Sequence, residues 1–522
     1  MSELLDELIF TSAARLAGQP ALLTPEKGLD YGELAELVGR AATGLQGLGV
    51  ERFTRVAILA PKSIETVAAF FAVARAGGIF VPVNPLLKAP QVGHILRDSG
   101  ARVLIVNAAR LPGIQAELEQ CPELQQVVVL GKQPATAAAH SWDDLCAAPA
   151  GGEAIGRLST DPVSIFYTSG STGSPKGVVL SHLNMVTGAH SVASYLHNNS
   201  ADRLLSVLPF SFDYGFSQLT TAFSVGASVR LLNYLFPQDV LKAGAEGITG
   251  LAGVPPLWLQ LLDSAWPEAM RRNLRYITNS GGALPVSAVR RLQELLPDTD
   301  IYLMYGLTEA FRSSFLPPGE LDRRPTSMGK AIPNAEILVV RPDGSECDAE
   351  ETGELVHCGP LVAQGYWADE ERTLARFKPA PQRLAGLPLP ELAVWSGDLV
   401  RRDADGYLYF VGRNDELIKT SGYRVSPTEV EEALYSSGSI AGAVVFGIPD
   451  PALGQAVIAI VEAAAGQPVD DALVLDYCRR ELPNYMVPAR LVWLEDLPRN
   501  PNGKLDRSHI VASYRQQLES SA

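Results

Sequence analysis

Residues 167–182 read YTSGSTGSPKGVVLSH. Seven small or hydroxyl residues, from Thr168 to Ser174, follow a short apolar run and lead into Pro175, Lys176 and Gly177. Residues this small let several backbone N–H groups converge on one anion. Hydroxyls add donors, and Lys176 adds a point charge. The chemistry this predicts is phosphate binding. The stretch is not a Walker loop, which requires G-x-x-x-x-G-K-[ST]. Nor is it a dinucleotide fingerprint, because the glycines stand at 170, 173 and 177. A plain Gly/Ser surface loop would lack this order.

The elements that must hold such a loop are legible on both sides of it. RVAILA, GIFVPV and RVLIVNA are short β-rich runs suited to buried parallel strands, and ADRLLSVLPF, SVRLLN and LRYITNSGG repeat the theme. YGELAELVGRAATGLQGLG and PVSAVRRLQELL carry helical spacing between them. Alternation of this kind predicts an α/β domain. After about residue 330 the pattern turns β-rich, with an Asp-Gly turn in AEILVVRPDGSECDAEETGELVHCG and a hairpin in DADGYLYFVGR. Beyond Arg413 comes a compact series of strand, helix, two strands, helix and strand. The expectation is therefore a large α/β domain over 1–412 and a small α+β domain over 413–522, with the hinge between Gly412 and Asp415.

Composition narrows the class. The 522 residues exceed a usual single domain, and a 47% hydrophobic share supplies a large core. A net charge of −15 argues against a general nucleic-acid binder. Cys121, Cys146, Cys347, Cys358 and Cys478 are odd in number and widely spaced, which predicts reduced thiols rather than a disulfide frame or a zinc site. The acidic start MSELLDELIF is not a signal peptide, and no run of 18 apolar residues occurs, so a cytoplasmic protein is expected.

Six segments in order, AVARAGGIFVPVNP, the loop, NSGGALP, YGLTEA, WSGDLV with GRNDELIKTSGYRVSPTEVE, and NPNGKLDR, resemble the AMP-forming adenylating superfamily of acyl-CoA synthetases, stand-alone amino-acid adenylation enzymes and luciferases. The resemblance spans about residues 30–507. It implies a multi-layer α/β N-terminal domain and a mobile C-terminal lid, with ATP and Mg²⁺ as cofactors. It also implies roles. Thr168, Ser169, Gly170, Ser171, Thr172, Gly173 and Lys176 would clasp the β- and γ-phosphates. Thr308 would meet the α-phosphate, and Glu309 would ligate Mg²⁺. Gly281, Gly282, Ala283, Tyr305 and Gly306 would frame the adenine. Asp398, with Arg413, would hold the ribose. Lys504, which without the resemblance reads as a solvated charge on a flexible turn, would offset the charge that builds when a carboxylate attacks the α-phosphate. Asp415 would be the pivot that withdraws Lys504 for the thiol step, with Gly422 then facing the site.

The acid pocket is implied around LPFSFDYGFSQL, by Phe212, Asp213 and Tyr214 together with Ser280, Met304 and Arg312. Phe212–Asp213 resembles the Phe-Asp of amino-acid adenylation domains, where Asp binds the substrate ammonium, so an amino acid is expected. A non-amino acid is the alternative, and Asp213 could instead open a helix. Arg312 could hold a second carboxylate, pair with Asp213, or be structural. The wording FSFDYGFSQ and YGLTEAFRSS lies nearest to exosortase-associated acyl-CoA ligases and L-prolyl-type carrier-protein ligases. The thiol would belong to CoA or to a separate carrier protein, since no fused GGxSL motif appears. A phosphotransferase, a hydrolase using Ser181 and His182, and a non-catalytic nucleotide binder are the competing classes. If Asp415 is the pivot, Asp415→Pro, which fixes φ near −65° and removes a donor, should preserve pyrophosphate exchange and abolish thioester output. Full thioester formation by that variant would place the pivot elsewhere.

Overall fold

The computed structural model describes residues 3–131, 139–151, 155–168, 175–381, 386, 388–413, 416–420, 423–450, 453–501 and 503–520. The expected α/β class is what is observed. One seven-stranded sheet is built around parallel strands Arg55–Leu59, Ile79–Pro82 and Val103–Asn107, with Pro162–Thr168 and its antiparallel partner Lys176–Ser181 at one edge. A larger sheet holds parallel strands Arg203–Ser206, Ser228–Leu231, Gly250–Gly253, Tyr276–Asn279 and Asp300–Tyr305. The middles of these runs are mostly apolar and buried, as in strands covered on both faces.

Between the two sheets lies the main core. The helices Tyr31–Gly47, Ile64–Arg75, His182–Tyr195 and Asp213–Val225 fill it, and helix and strand phenylalanines interlock there: Phe70 of a helix and Phe80 and Phe166 of the strands all pack around Phe216. Asp30 starts the first of these helices with a reciprocal capping box to Glu33. Ser63 and Ser181 cap the second and third through their hydroxyls. Ser181 is thus occupied in accepting from the Asn184 amide, and the buried His182 accepts at Nδ1 from the Leu5 amide. Burial lowers His182 to about 4. The pair is structural, and the hydrolase alternative has no nucleophile there.

At Tyr305 the large sheet changes character. Asp300–Tyr305 pairs antiparallel with Ser314–Leu316, and the sheet continues antiparallel through Ser327–Ala331, Leu408–Arg413, Leu392–Arg402, Thr352–Cys358 and Glu336–Val340. This is the β-rich section expected after residue 330. From Ile418 onward the chain forms cores of its own, around Val430, Val445 and Val461 on one face and Phe446, Ile460 and Tyr514 on the other. The strands Ile440–Asp450, Gly454–Ala463 and Arg490–Leu494 form its sheet. Its contacts with the rest of the chain include Val286 N donating to Glu432 (3.0 Å) and Asn84 Nδ2 donating to Pro501 O (3.4 Å). All five cysteines are buried. Among the described residues no helix is long and apolar enough to cross a membrane.

One packing contact ties the core to the turn after Tyr305. A Cβ placed on Gly188 of the helix His182–Tyr195 would lie 2.4 Å from Phe311 Cδ1, so only glycine lets the fully buried Phe311 ring seat there. Gly188→Val should cost about 1–3 kcal/mol through overpacking and displace residues 308–312. Adenylation should therefore fall far more than the thermal midpoint. Unchanged turnover in that variant would show that the turn does not depend on this contact.

Candidate active site at the ends of the parallel strands

Four parallel strands end side by side, and each hands a segment to one cleft. Arg203–Ser206 leads to Phe212 and Asp213, Gly250–Gly253 to Val254 and Pro255, Tyr276–Asn279 to Ser280 and Gly281, and Asp300–Tyr305 to residues 306–313. Carboxyl ends of strands in open α/β sheets are where ligands bind.

The turn at 306–313 carries the most chemistry. Phe311 adopts φ 56° and ψ −52°, and Arg312 N donates to Ala310 O at 2.5 Å. This is a γ-turn with a non-glycine residue at its strained centre, an arrangement that costs about 1–3 kcal/mol and clusters at functional sites. It turns Glu309 to one side and Arg312 to the other. Glu309 Oε1 receives Lys176 Nζ at 2.9 Å and the Tyr366 hydroxyl at 2.6 Å, and Lys176 also donates to that hydroxyl at 2.6 Å. Lys176 lies over the Tyr366 ring, 4.1 Å from its centre. Burial pushes Glu309 up, but the Lys176 ammonium and the Tyr366 hydroxyl outweigh it and hold the carboxyl below its ordinary value. Tyr366 was not foreseen. Its only signal is the GYW stretch, where Gly365 (φ 117°) lets the chain pair with Val178 and Val179 beside the loop.

Arg312 and Asp213 meet on the other side. Asp213 opens the helix Asp213–Val225 but makes no side-chain cap. Its Oδ2 lies 3.6 Å from Arg312 Nη1, and its Oδ1 accepts from Thr308 Oγ1 at 3.3 Å. Arg312 further donates to Ser217 Oγ (2.9 Å) and Phe311 O (3.2 Å), and lies over the Tyr214 ring at 4.5 Å. Both charged side chains are almost fully buried, 3% and 4% exposed. Burial raises Asp213, while Arg312 and then Lys504 oppose the shift. Of the alternatives for Arg312, the geometry shows the pairing with Asp213. Thr308, expected at the α-phosphate, has its hydroxyl turned to Asp213. Tyr214 donates its hydroxyl to the Thr278 carbonyl at 2.9 Å and offers the pocket its ring. Met304 is turned away, its sulfur accepting from Tyr195 at 3.0 Å. Ser280 is buried, with its amide on Gly253 O.

Lys504 enters from the small C-terminal unit. Asn500 N donates to Lys504 O (2.7 Å), Gly503 N to Asn500 O (2.8 Å) and Lys504 N to Asn500 Oδ1 (3.1 Å), so the residue sits in a closed, hydrogen-bonded turn rather than a loose loop. Its ammonium lies 4.6 Å from the centre of the Phe212 ring. A Cβ on Gly281 (φ 80°) would meet Lys504 Cε and Nζ at 2.7 Å, so the amine occupies the space that glycine leaves open. Burial lowers Lys504, and Asp213 opposes the shift.

On the far wall Asp398 accepts from the Tyr305 hydroxyl and stands 3.5 Å from Arg413 Nε, its cross-strand neighbour. Burial raises Asp398, opposed by Tyr305 and Arg413. Arg376, a second residue the sequence did not single out, crosses Gly397, with Nη1 2.6 Å from where a Cβ would stand. Gly282 and Ala283 are exposed at the lip, and Gly306 backs onto Arg312. Thr168 ends its strand with Oγ1 buried and without a partner. Ser169, Gly170, Ser171, Thr172, Gly173, Asp415 and Gly422 lie outside the described residues. Among the described residues no three metal-ligating side chains converge. A lone buried Glu309 fits an ion held mainly by phosphate oxygens, as Mg²⁺ usually is, rather than a protein-built cage.

Comparison with known proteins assigns the chain to a family. The family model for AMP-binding enzymes matches residues 9–367, and that for the AMP-binding enzyme C-terminal domain matches residues 429–504. Indoleacetate–CoA ligase of Aromatoleum aromaticum is 31% identical, over 97% of each chain. L-proline–[L-prolyl-carrier protein] ligase of Pseudomonas fluorescens is 30% identical, over 97% of this chain and 98% of its own. The crystal structure of an anthranilate CoA ligase in complex with anthranoyl-AMP superposes with a TM-score of 0.89 at 26% identity, over the whole of both chains. The chain belongs to the AMP-binding enzymes, the ATP-using, adenylate-forming ligases that join carboxylic acids to thiols.

Proposed function

We propose that this enzyme binds ATP and a carboxylic acid in the cleft between the strand ends and the Lys504 turn. A carboxylate oxygen forms a bond to the α-phosphorus while the bond to the β-phosphate bridge oxygen breaks, giving acyl-adenylate and pyrophosphate. A thiol sulfur of CoA or of a carrier-protein phosphopantetheine then bonds to the acyl carbon, the thiol proton is lost, and AMP leaves. The observation that carries this reading is the placement of Lys504, brought from a separate unit into the pocket over Gly281 and beside Asp213.

The residues divide the work. Lys504 offsets the repulsion between two anions as the carboxylate approaches, a role for a fixed cation in a pocket that excludes water. Lys176, which in this structure neutralises Glu309, can turn to the β- and γ-phosphates when these supply the negative charge instead. Glu309 would hold Mg²⁺, whose charge would offset that of the phosphates. Asp398 can accept from ribose hydroxyls in place of the Tyr305 hydroxyl, with Arg413 and Arg376 limiting its charge. Thr308 is one bond rotation from the cleft and can exchange Asp213 for a phosphate oxygen. The relatives diverge over the acid itself: one is named for an arylacetate and CoA, another for an amino acid and a carrier protein. The sequence expectation of an amino acid rests on Asp213, which stands 3.6 Å from Arg312 within the pocket.

Lys504→Ala should lower acid-dependent pyrophosphate exchange by about 10²–10³-fold and largely spare thioester formation from a supplied acyl-adenylate. Gly281→Ala should reproduce the first defect, since its Cβ would occupy the place of the ammonium. Product analysis should find AMP and pyrophosphate. ADP as the product, or equal loss of both half-reactions in Lys504→Ala, would defeat the proposal.

A further inference from the structure

The charges that face the acyl position form a closed set. Asp213 and Arg312 stand 3.6 Å apart, each almost completely buried, and Lys504 is the third charge acting on Asp213. Among the described residues, the other side chains in contact with these three are uncharged: Thr308, Ser217, and the rings of Phe212 and Tyr214. Lys504 is matched by the reacting carboxylate and phosphate. Asp213 and Arg312 are matched by each other.

A second charge on the acid would disturb that balance. An α-ammonium placed against Asp213 would also lie near Arg312 and Lys504, two cations already held there. A second carboxylate placed against Arg312 would lie near Asp213. In a dry site neither charge has water to fall back on, and like charges brought together there are strongly disfavoured. We infer that the Asp213–Arg312 pair is a specificity device that compensates itself, so that the enzyme takes acids whose only charge is the reacting carboxylate and rejects both amino acids and dicarboxylic acids. The inference rests on the adenylate-forming reading above and narrows its substrate class. It runs against the expectation drawn from Phe212–Asp213 alone, because a carboxylate with its own arginine no longer calls for a substrate ammonium.

The test uses three non-reacting acyl-adenylate mimics on one carbon skeleton, the N-acylsulfamoyl adenosines of butanoic, 2-aminobutanoic and succinic acid, titrated calorimetrically into the full chain. The nucleoside part gives each mimic the same anchor, so the order of affinity reports the pocket even if none carries the natural acyl group. The butanoyl compound should bind tightest, each charged analogue weaker by about 100-fold. Asp213→Asn should narrow the gap for the succinyl compound and widen it for the aminobutanoyl one. Arg312→Met should do the reverse. Aminobutanoyl or succinyl binding as tightly as butanoyl in the wild-type protein overturns the inference while leaving the adenylating reading intact. Failure of all three mimics and of AMP to bind overturns the adenylating reading itself, and the inference with it.

Discussion

Charge burial is the constraint around which the site is built. Glu309, Asp398 and Asp213 are all withdrawn from water, and a buried carboxylate is tolerable only with a partner. Each finds one from a different part of the chain: Lys176 from the edge strand of the other sheet, Arg413 from the antiparallel section, and Arg312 from the turn after Tyr305. These pairs hold two sheets and the β-rich section in register around one cleft. They are also exchangeable, since each cation could serve a phosphate or a carboxylate brought by substrates.

The turn at 306–313 concentrates this design. It presents Glu309 to Lys176 and Arg312 to Asp213 from a single strained γ-turn, and the Phe311 ring, seated against Gly188, anchors it to the main core. The backbone stays in a costly conformation because a buried aromatic side chain and two ion pairs over-determine it. Thr308, at the start of the turn, donates to Asp213 and so ties the turn to the helix that Asp213 opens. The Lys504 turn comes from the C-terminal part of the chain and is closed by its own hydrogen bonds to Asn500.

Much of this was open to reading in one dimension. Hydrophobic runs of strand length placed the parallel strands, capping residues such as Asp30, Ser63 and Ser181 marked helix starts, and ordered small residues before Lys176 pointed to phosphate. Those signals are local: propensity, periodicity and turn chemistry act over a few residues, and the chain carries them without help. Lys504 was legible only because several motifs in order resembled a family; by itself it is one lysine in a turn.

What only the tertiary structure decided is who meets whom. Asp213 and Arg312 lie 99 positions apart in sequence, Lys176 and Glu309 133, and no local rule pairs them; their neighbours are fixed by where sheet strands end and which helix fills the gap. Tyr366 and Arg376 escaped notice for the same reason, since their significance lies in reaching Glu309 and the flank of Asp398 from a distant segment. Composition and pattern determined that this chain folds as an α/β protein. Three-dimensional packing determined that its acid pocket holds a carboxylate already neutralised, because the free energy of a buried charge depends on its surroundings and not on its place in the sequence.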